Sequence, residues 1–172
     1  MMIRDEKPTD HEAIGALTSA AFRDHPHSQQ TEAALIVALR EAGALTISLV
    51  AEMDGRVVGH IAFSPVTIDG EDKGWFGLGP VAVLPEFQGN GIGRALIEAG
   101  LARLKGMGAA GCVLVGYPEF YKRFGFRADP RLTYAGVPPE YFMALAVGSE
   151  GDSAVELPRG EVRFHPAFAE AG

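Results

Sequence analysis

Residues 88–94 read QGNGIGR, and this stretch decides the fold because of what stands on either side of it. The run before it, residues 80–85, reads PVAVLP and is typical of a strand that ends in a turn. The residues after it, 92–105, alternate apolar and charged side chains at helical spacing. A glycine-rich loop between a strand and a helix brings unpaired backbone N–H groups and the positive end of the helix dipole together. The stretch therefore predicts a site for an anion such as a phosphate.

An arbitrary glycine-rich loop is more often a flexible turn, but the alternating glycines Gly89, Gly91 and Gly93 favour the anion site here. Two common phosphate ligands do not fit it. The dinucleotide fingerprint G-x-G-x-x-G needs a glycine where Arg94 stands, and the nucleotide-triphosphate loop ends in Gly-Lys-Ser/Thr, whereas this one continues to Arg94 and Ala95. Nicotinamide and ATP sites are thus disfavoured.

The segments around the loop predict an α+β fold. N-terminal to it, two Asp-Gly turns separate strands of an antiparallel meander, over Leu45–Met53, Arg56–Val66 and Lys73–Leu84. Thr9 and Glu12 form a capping-box pattern before a first helix of about three turns. A second helix carries Leu35, Ile36 and Leu39 and ends at Gly43.

C-terminal to the loop, an apolar run at Cys112–Val115 predicts a further strand, which the intervening helix allows to lie parallel to the strand before it. A short helix at Glu119–Phe124 and strands at Tyr141–Val147 and Glu161–Phe164 follow. The fold class is mixed α/β: a central mixed, mostly antiparallel sheet flanked by helices, in a single domain. We expect that domain to span residues 1–147, with a C-terminal extension, residues 148–172, packed on it.

Charge and composition exclude several functions. The net charge of −7 argues against nucleic-acid and membrane partners, since both are polyanions. Asp5 and Glu6 stand where a secretory signal needs apolar residues, and no apolar run is long enough to span a bilayer, so we expect a cytoplasmic protein. We expect no metal, because only His25 and His27 lie close together, and we expect Cys112 to pack in the core.

Two motifs carry a resemblance to the GNAT superfamily of N-acetyltransferases. The pattern Q/R-x-x-G-x-G/A matches at Gln88, Gly91 and Gly93, and the pattern Tyr-x-x-x-Gly-Phe matches at Tyr121 with Gly125 and Phe126. The resemblance covers residues 45–126. Within the superfamily, the chain is most similar to a subgroup of small bacterial enzymes with an extended C-terminal tail. It implies a GNAT-like fold.

The resemblance also implies a reaction. Acetyl-CoA would be the co-substrate, and the acceptor would be a small-molecule or peptide amine; a homodimer is left open. Tyr121 would protonate the departing CoA thiolate, which suits a phenol of pKa about 10. The main chain of the preceding strand would pair with the pantetheine arm, and the loop would hold the pyrophosphate. The implied cofactor-binding residues are Val81, Ala82, Val83, Gln88, Gly89, Asn90, Gly91, Ile92, Gly93 and Arg94.

The chain departs from the family pattern in two places. Gly116, Tyr117 and Pro118 stand where many members carry an asparagine, and Leu78–Leu84 contains no carboxylate to act as general base. Because lysine-like amines are protonated at pH 7, a base or a water chain is still needed. The candidates are Asp24, His25, His27, Glu52 and His60. A backbone N–H near Val81–Val83 would meet the oxyanion.

Two other functions stay open: an acyl-CoA-binding sensor without turnover, and a structural or interaction domain with an incidental glycine loop. The missing asparagine and glutamate favour the sensor, whereas Tyr121 favours the enzyme. Residues 22–30 and 134–142 are the candidate walls of the acceptor site.

Overall fold

The computed structural model describes residues 1–26, 28–148 and 157–171. Its α-helices are α1 (His11–Phe22), α2 (Glu32–Glu41), α3 (Ile92–Gly106), α4 (Pro118–Tyr121) and α5 (Ala167–Ala171). Its strands are β1 (Met2–Asp5), β2 (Ile47–Met53), β3 (Arg56–Pro65), β4 (Thr67–Ile68), β5 (Trp75–Val83), β6 (Gly111–Val115), β7 (Leu132–Thr133), β8 (Phe142–Ala146) and β9 (Gly160–Arg163). Short 3-10 helices span Pro8–Asp10, Pro85–Phe87, Lys122–Phe124 and Pro139–Tyr141. Contacts group the chain into two compact units: Met1–Ser64 with Gly79–Gly100 and Pro166–Gly172, and Pro65–Leu78 with Leu101–His165.

The first unit holds strands in the order β1-β2-β3-β5. β1 and β3 both pair antiparallel with β2, and the β2–β3 hairpin closes at Met53 opposite Arg56. Its turn places Asp54 and Gly55 at φ of 51° and 78°, a left-handed conformation that Asp and Gly tolerate. The predicted Asp-Gly hairpin is confirmed.

Helices α1 and α2 bury their apolar faces in the first unit. Ile14 of α1 and Ile36 of α2 meet Val50 of β2 in one cluster, while Leu39 and Ala44 pack with Ala167 of α5 in another. Gly43 has a φ of 69°, which lets the chain turn directly after α2, as the sequence predicts.

Two glycines let α3 approach β3 closely. A Cβ on Gly59 of β3 would lie 3.0 Å from Leu96 Cδ1, and a Cβ on Gly100 of α3 would collide with the Phe63 ring. β3 is buried without a break from Val58 to Ser64, so both of its faces are covered. This packing fixes the beginning of α3, and with it the glycine-rich loop.

The second unit holds strands in the order β5-β6-β8, with β6 parallel to β5 and antiparallel to β8. The predicted parallel strand after the crossover helix is confirmed. A smaller sheet has the order β4-β9-β7. Trp75, Val113 and Phe142 belong to the core cluster of this unit.

Among the described residues, three short strands and one short α-helix were not predicted from the sequence: β1, β4, β7 and α5. Nor were the 3-10 helices Pro8–Asp10, Pro85–Phe87 and Pro139–Tyr141. The capping-box prediction at Thr9 was wrong, because α1 follows a 3-10 turn and its N-cap is Asp10. The Asp10 carboxylate accepts a hydrogen bond from the Lys7 backbone N–H at 2.7 Å and does not cap α1. The boundary after residue 147 stays a prediction; of the tail, residues 149–156 lie outside the described residues, β9 belongs to the second unit and α5 to the first.

Candidate active site

The glycine-rich loop ends where α3 begins, in the first unit. Gly89 and Gly91 have φ of 82° and 79°. The Gly91 carbonyl accepts the first bond of α3, from the Ala95 N–H at 3.0 Å, so the N–H groups of residues 92–94 precede the first intrahelical donor. These amides are the groups that an anion at a helix N-terminus would use.

Two side chains of the loop hold its shape. Gln88 Nε2 donates to the Val83 carbonyl at 2.9 Å, and Asn90 Nδ2 donates to the Phe87 carbonyl at 3.1 Å. Arg94 Nε is bonded to Glu98 Oε1 at 3.0 Å, one helical turn away. Because the Gln88 and Asn90 amides are bonded to the main chain, we assign them to shaping the loop.

The surface at the start of α3 suits a negatively charged group. The first turn of α3 has no acidic residue that would oppose an anion. A Cβ added at Gly89 or Gly91 would meet no atom within 4 Å, and one added at Gly93 would meet Val83 Cγ2 at 3.8 Å. The glycines are therefore not required by internal packing, and they keep the backbone accessible to a ligand.

The strand segment that leads into the loop is the end of β5. Ala82 is buried, whereas Val81 and Val83 are half-buried. The ladder to β6 pairs Trp75 to Gly77, and residues 81–83 follow it along the strand. The Leu84 N–H donates to the Val58 carbonyl at 2.9 Å, which fixes the end of β5 on β3.

Tyr121 ends helix α4, in the second unit, and its ring lies among aromatic neighbours. The centroids of Phe120 and Phe126 lie 4.9 and 6.2 Å from it. Phe126 is buried and Phe124 also contacts the Tyr121 ring, so these two residues form an aromatic cluster with Tyr121.

The Tyr121 ring also explains a glycine. A Cβ on Gly116 would overlap this ring, so only glycine fits at the point where β6 has just ended. The sequence analysis missed this role; the signal was a glycine in place of the expected asparagine. Burial raises the pKa of the Tyr121 phenol, with a smaller contribution from Cys112, so the hydroxyl keeps its proton at neutral pH.

The structure places His60 in a buried chain of polar groups. His60 Nε2 lies 2.7 Å from Ser48 Oγ, which donates to Glu6 Oε1 at 2.5 Å, and Arg40 binds both Glu6 oxygens at 2.9 Å. Burial lowers the pKa of His60 to about 4. The negative charge of Glu6 raises this pKa, and the positive charge of Arg40 lowers it. His60 is fully buried and therefore cannot meet an amine arriving from solvent.

Glu52 is also engaged. Its carboxylate binds Arg4 Nη2 at 2.9 Å, and the same guanidinium binds Asp10 at 2.8 Å. Of the loop candidates for general base, Asp24 and His25 are exposed, while His27 lies outside the described residues. His60 and Glu52 are thus held by their hydrogen bonds, whereas Asp24 and His25 are exposed, with the His25 ring centroid 5.7 Å from that of Phe22.

Cys112 packs in the core, as predicted: it is fully buried, and burial raises the pKa of its thiol well above the usual range. Within residues 1–26, 28–148 and 157–171, no group of three His, Cys, Asp or Glu is arranged to hold a metal ion. None of the helices described is long and apolar enough to cross a membrane.

Comparison with known proteins places the chain in a family. The model of the acetyltransferase (GNAT) domain matches residues 45–128. The chain is 39% identical to the N-acetyltransferase YhbS of Escherichia coli, over 98% of both chains. A GNAT family acetyltransferase of Brucella melitensis, solved in complex with acetyl-CoA, is 51% identical over 97% of both chains, with a TM-score of 0.85. The structure of E. coli YhbS in complex with CoA also has a TM-score of 0.85, at 36% identity over 99% of this chain and 93% of that one.

These likenesses confirm the predicted fold class, a single domain with a mixed, mostly antiparallel sheet flanked by helices. They extend over nearly the whole chain, well beyond the two motifs. The protein belongs to the GNAT family of acetyltransferases.

Proposed function

We propose that this acetyltransferase moves an acetyl group from acetyl-CoA to a primary amine by direct transfer, without a covalent acetyl-enzyme. The beginning of α3 carries the proposal: its free amides and acid-free first turn favour a pyrophosphate. Two relatives similar over almost all of the chain were solved with acetyl-CoA and with CoA. GNAT enzymes act on amine acceptors, so the acceptor here is an amine.

The donor is held by main-chain groups. The main-chain amides of residues 89–94 bind the pyrophosphate, and the side chains of Gln88 and Asn90 keep the loop in shape through their bonds to main-chain carbonyls. The Gln88 N–H itself is bonded to the Pro85 carbonyl. The main chain of Val81–Val83 pairs with the pantetheine arm, as a strand pairs with an added extended chain. No metal takes part in this binding.

The transfer needs one bond formed and one broken. The neutral amine nitrogen attacks the acetyl carbonyl carbon, and a backbone N–H of Val81–Val83 stabilises the oxyanion. The tetrahedral intermediate then expels the CoA sulfur, which takes the Tyr121 proton and leaves as the free thiol. The amine loses its proton to water, and the tyrosine is reprotonated from solvent. Amide and CoA are the products.

The amine proton is accepted by a solvent-exposed side chain or by a chain of water molecules. His60 is buried and bonded to Ser48, and Glu52 is bonded to Arg4, so neither accepts the amine proton. The exposed Asp24 and His25 are the remaining candidates within the described residues. We propose that a water molecule relays the proton toward this loop.

Isothermal titration tests the donor assignment. Acetyl-CoA should bind to the purified chain. S-acetyl-4'-phosphopantetheine should bind at least about tenfold more tightly than S-acetyl-pantetheine, which differs from it only by the phosphate, because charge-assisted bonds to amides contribute about 1.5–3 kcal/mol each. Equal affinities would contradict phosphate binding by the loop. Failure of acetyl-CoA to bind at all would favour a structural domain.

A further inference from the structure

The second unit contains a cavity that the donor does not use in the proposed function. Its lining residues all lie between Ala128 and Phe142, and its volume is about 520 Å³. Small-molecule sites generally measure about 300–1,000 Å³ and are mostly apolar. Its wall includes Pro130, Leu132, Tyr134, Val137 and Phe142. The Tyr134 and Phe142 rings stack with their centroids 5.3 Å apart, which gives the cavity a rigid aromatic side.

The cavity has an acidic edge. Among the described residues that line it, the charged ones are Asp129 and Glu140. Asp129 is neutralised, because Arg131 Nη2 and Nε bind its carboxylate at 2.6 and 2.9 Å. Glu140 is exposed on the 3-10 helix Pro139–Tyr141 and supplies the negative charge of the wall. An apolar cavity with a carboxylate at its edge favours a cation that carries an apolar group.

The acidic edge of the cavity is connected to Tyr121, the general acid of the proposed function. The Gly116 N–H donates to the Tyr141 carbonyl at 2.9 Å, and the Tyr121 ring packs directly on Gly116. The Tyr117 and Tyr141 rings also meet edge to face at 6.1 Å. Tyr121 and Glu140 are therefore linked through Gly116 and Tyr141 within one unit.

We infer that this cavity takes the acceptor, and that the acceptor is a primary amine carrying an aromatic or bulky aliphatic group. The apolar group fills the cavity and Glu140 attracts the ammonium group before it loses its proton. The inference rests on the proposed function and adds the substrate class to it. A polycationic sugar or a phosphorylated amine would suit this wall less well, since the first needs many polar partners and the second is repelled by Glu140.

The test compares 2-phenylethylamine with 2-phenylethanol, which has the same ring and spacer but no charge. Calorimetry on the full chain should show tighter binding of the amine. In Glu140→Gln the amine should bind about fivefold more weakly while the alcohol is unaffected, because only a charge interaction is removed. Glu71→Gln, which removes an exposed carboxylate that does not line the cavity, is the matched control and should change neither affinity.

A second variant tests the cavity itself. Ala128 lines it from an exposed position, so Ala128→Trp fills it without a change in the core and should weaken both compounds by about tenfold or more. If Ala128→Trp melts at a lower temperature than the parent, Thr133→Trp, at another exposed lining position, is used in its place. Equal binding of amine and alcohol, or an amine affinity unchanged in Glu140→Gln or in the tryptophan variant, would overturn the inference.

The same samples separate this inference from the proposed function. If acetyl-CoA binds but 2-phenylethylamine does not, the acceptor assignment fails and the donor assignment stands. If 2-phenylethylamine binds in a Glu140-dependent way and acetyl-CoA does not bind, the cavity is an amine site and the proposed transfer fails.

Discussion

The ring of Tyr121 occupies the space that a Cβ on Gly116 would fill. Gly116 is the first residue after β6, and Tyr121 is the last of α4, so the glycine sets how closely the helix can return to the strand end. The pair accounts for a glycine where the family often has asparagine. The position of the Tyr121 phenol therefore depends on Gly116, which has no side chain and takes no part in the reaction.

Gly116→Ala should therefore lower kcat, because the ring must move by a distance on the order of 1 Å and a shift of that size can reduce a rate by about 10- to 100-fold. Gly106→Ala, at an exposed end of α3 where a Cβ meets nothing within 4 Å, is the control and should keep the parental rate. Steady-state kinetics with one amine compares the two. A parental kcat in Gly116→Ala would mean that the ring position does not limit transfer.

Gly93→Ala should separate stability from binding. Gly93 lies in α3 and has no positive φ, so alanine should raise the free energy of unfolding by up to about 1 kcal/mol. The only atom that its methyl group would meet is Val83 Cγ2 at 3.8 Å, and the family pattern accepts alanine at this position, so the affinity for acetyl-CoA should stay within about twofold of the parent's. Thermal melts and calorimetry measure the two quantities. A loss of affinity of about tenfold or more would show that this chain requires the bare glycine at residue 93.

His60 should make folding sensitive to mild acid. Its pKa in the folded chain is about 4, below the unfolded value of about 6.5. As the pH falls from about 6.5 to 4, the unfolded chain takes up a proton that native His60 does not, so stability is lost across that window, by about 3 kcal/mol in total. Above pH 6.5 both forms are neutral and this contribution is constant.

Denaturant unfolding of His60→Gln at several pH values checks this dependence. The glutamine should flatten the loss of stability between pH 6.5 and 4.5 relative to the parent, whatever its stability at pH 7. The carboxylate of Asp10, whose pKa is lowered by hydrogen bonds from Arg4 and the Lys7 N–H, titrates in both proteins and cancels in the difference. Glu6 is bonded to Ser48, the partner of His60, so any change in its titration belongs to the effect that is measured. The same slope in both proteins would show that His60 does not carry the effect.

Tyr121→Phe should lower kcat by about 10²- to 10⁴-fold, the range for general acid-base catalysis. The ring and its contacts with Phe120 and Phe126 are kept, so the affinity for acetyl-CoA should change little. Phe120→Leu, which changes an aromatic neighbour and keeps the hydroxyl, is the control for packing. Unchanged kcat in Tyr121→Phe would make water the proton donor.

Much of the fold could be predicted because its signals are local. The Asp-Gly turn before β3 and the strand-loop-helix order around Gly91 are both written in short stretches. β1 could not be predicted, since the run MIRD has no strand alternation and is held through Arg4, which binds Asp10 and Glu52. The two-residue strands β4 and β7 depend on β9, far along the chain.

Some residues of the candidate site could be predicted from the sequence and others could not, for a physical reason. The loop and Tyr121 belong to motifs, whereas the state of His60 depends on burial of both faces of β3, which alternation along one strand does not reveal. A histidine between apolar residues on a strand has the same pattern whether it faces solvent or, as here, binds a buried serine. The role of Gly116 could not be predicted either, because it depends on the orientation of the Tyr121 ring in the folded chain.

Release of free thiol from acetyl-CoA, followed over a panel of primary amines, tests the central claim most directly. We predict thiol release that depends on both the enzyme and the amine, saturates with each substrate, and yields one acetylated amine for each CoA released. Chelators should leave the rate unchanged. Tight binding of acetyl-CoA without amine-dependent thiol release across the panel would contradict the account and would indicate an acyl-CoA-binding sensor.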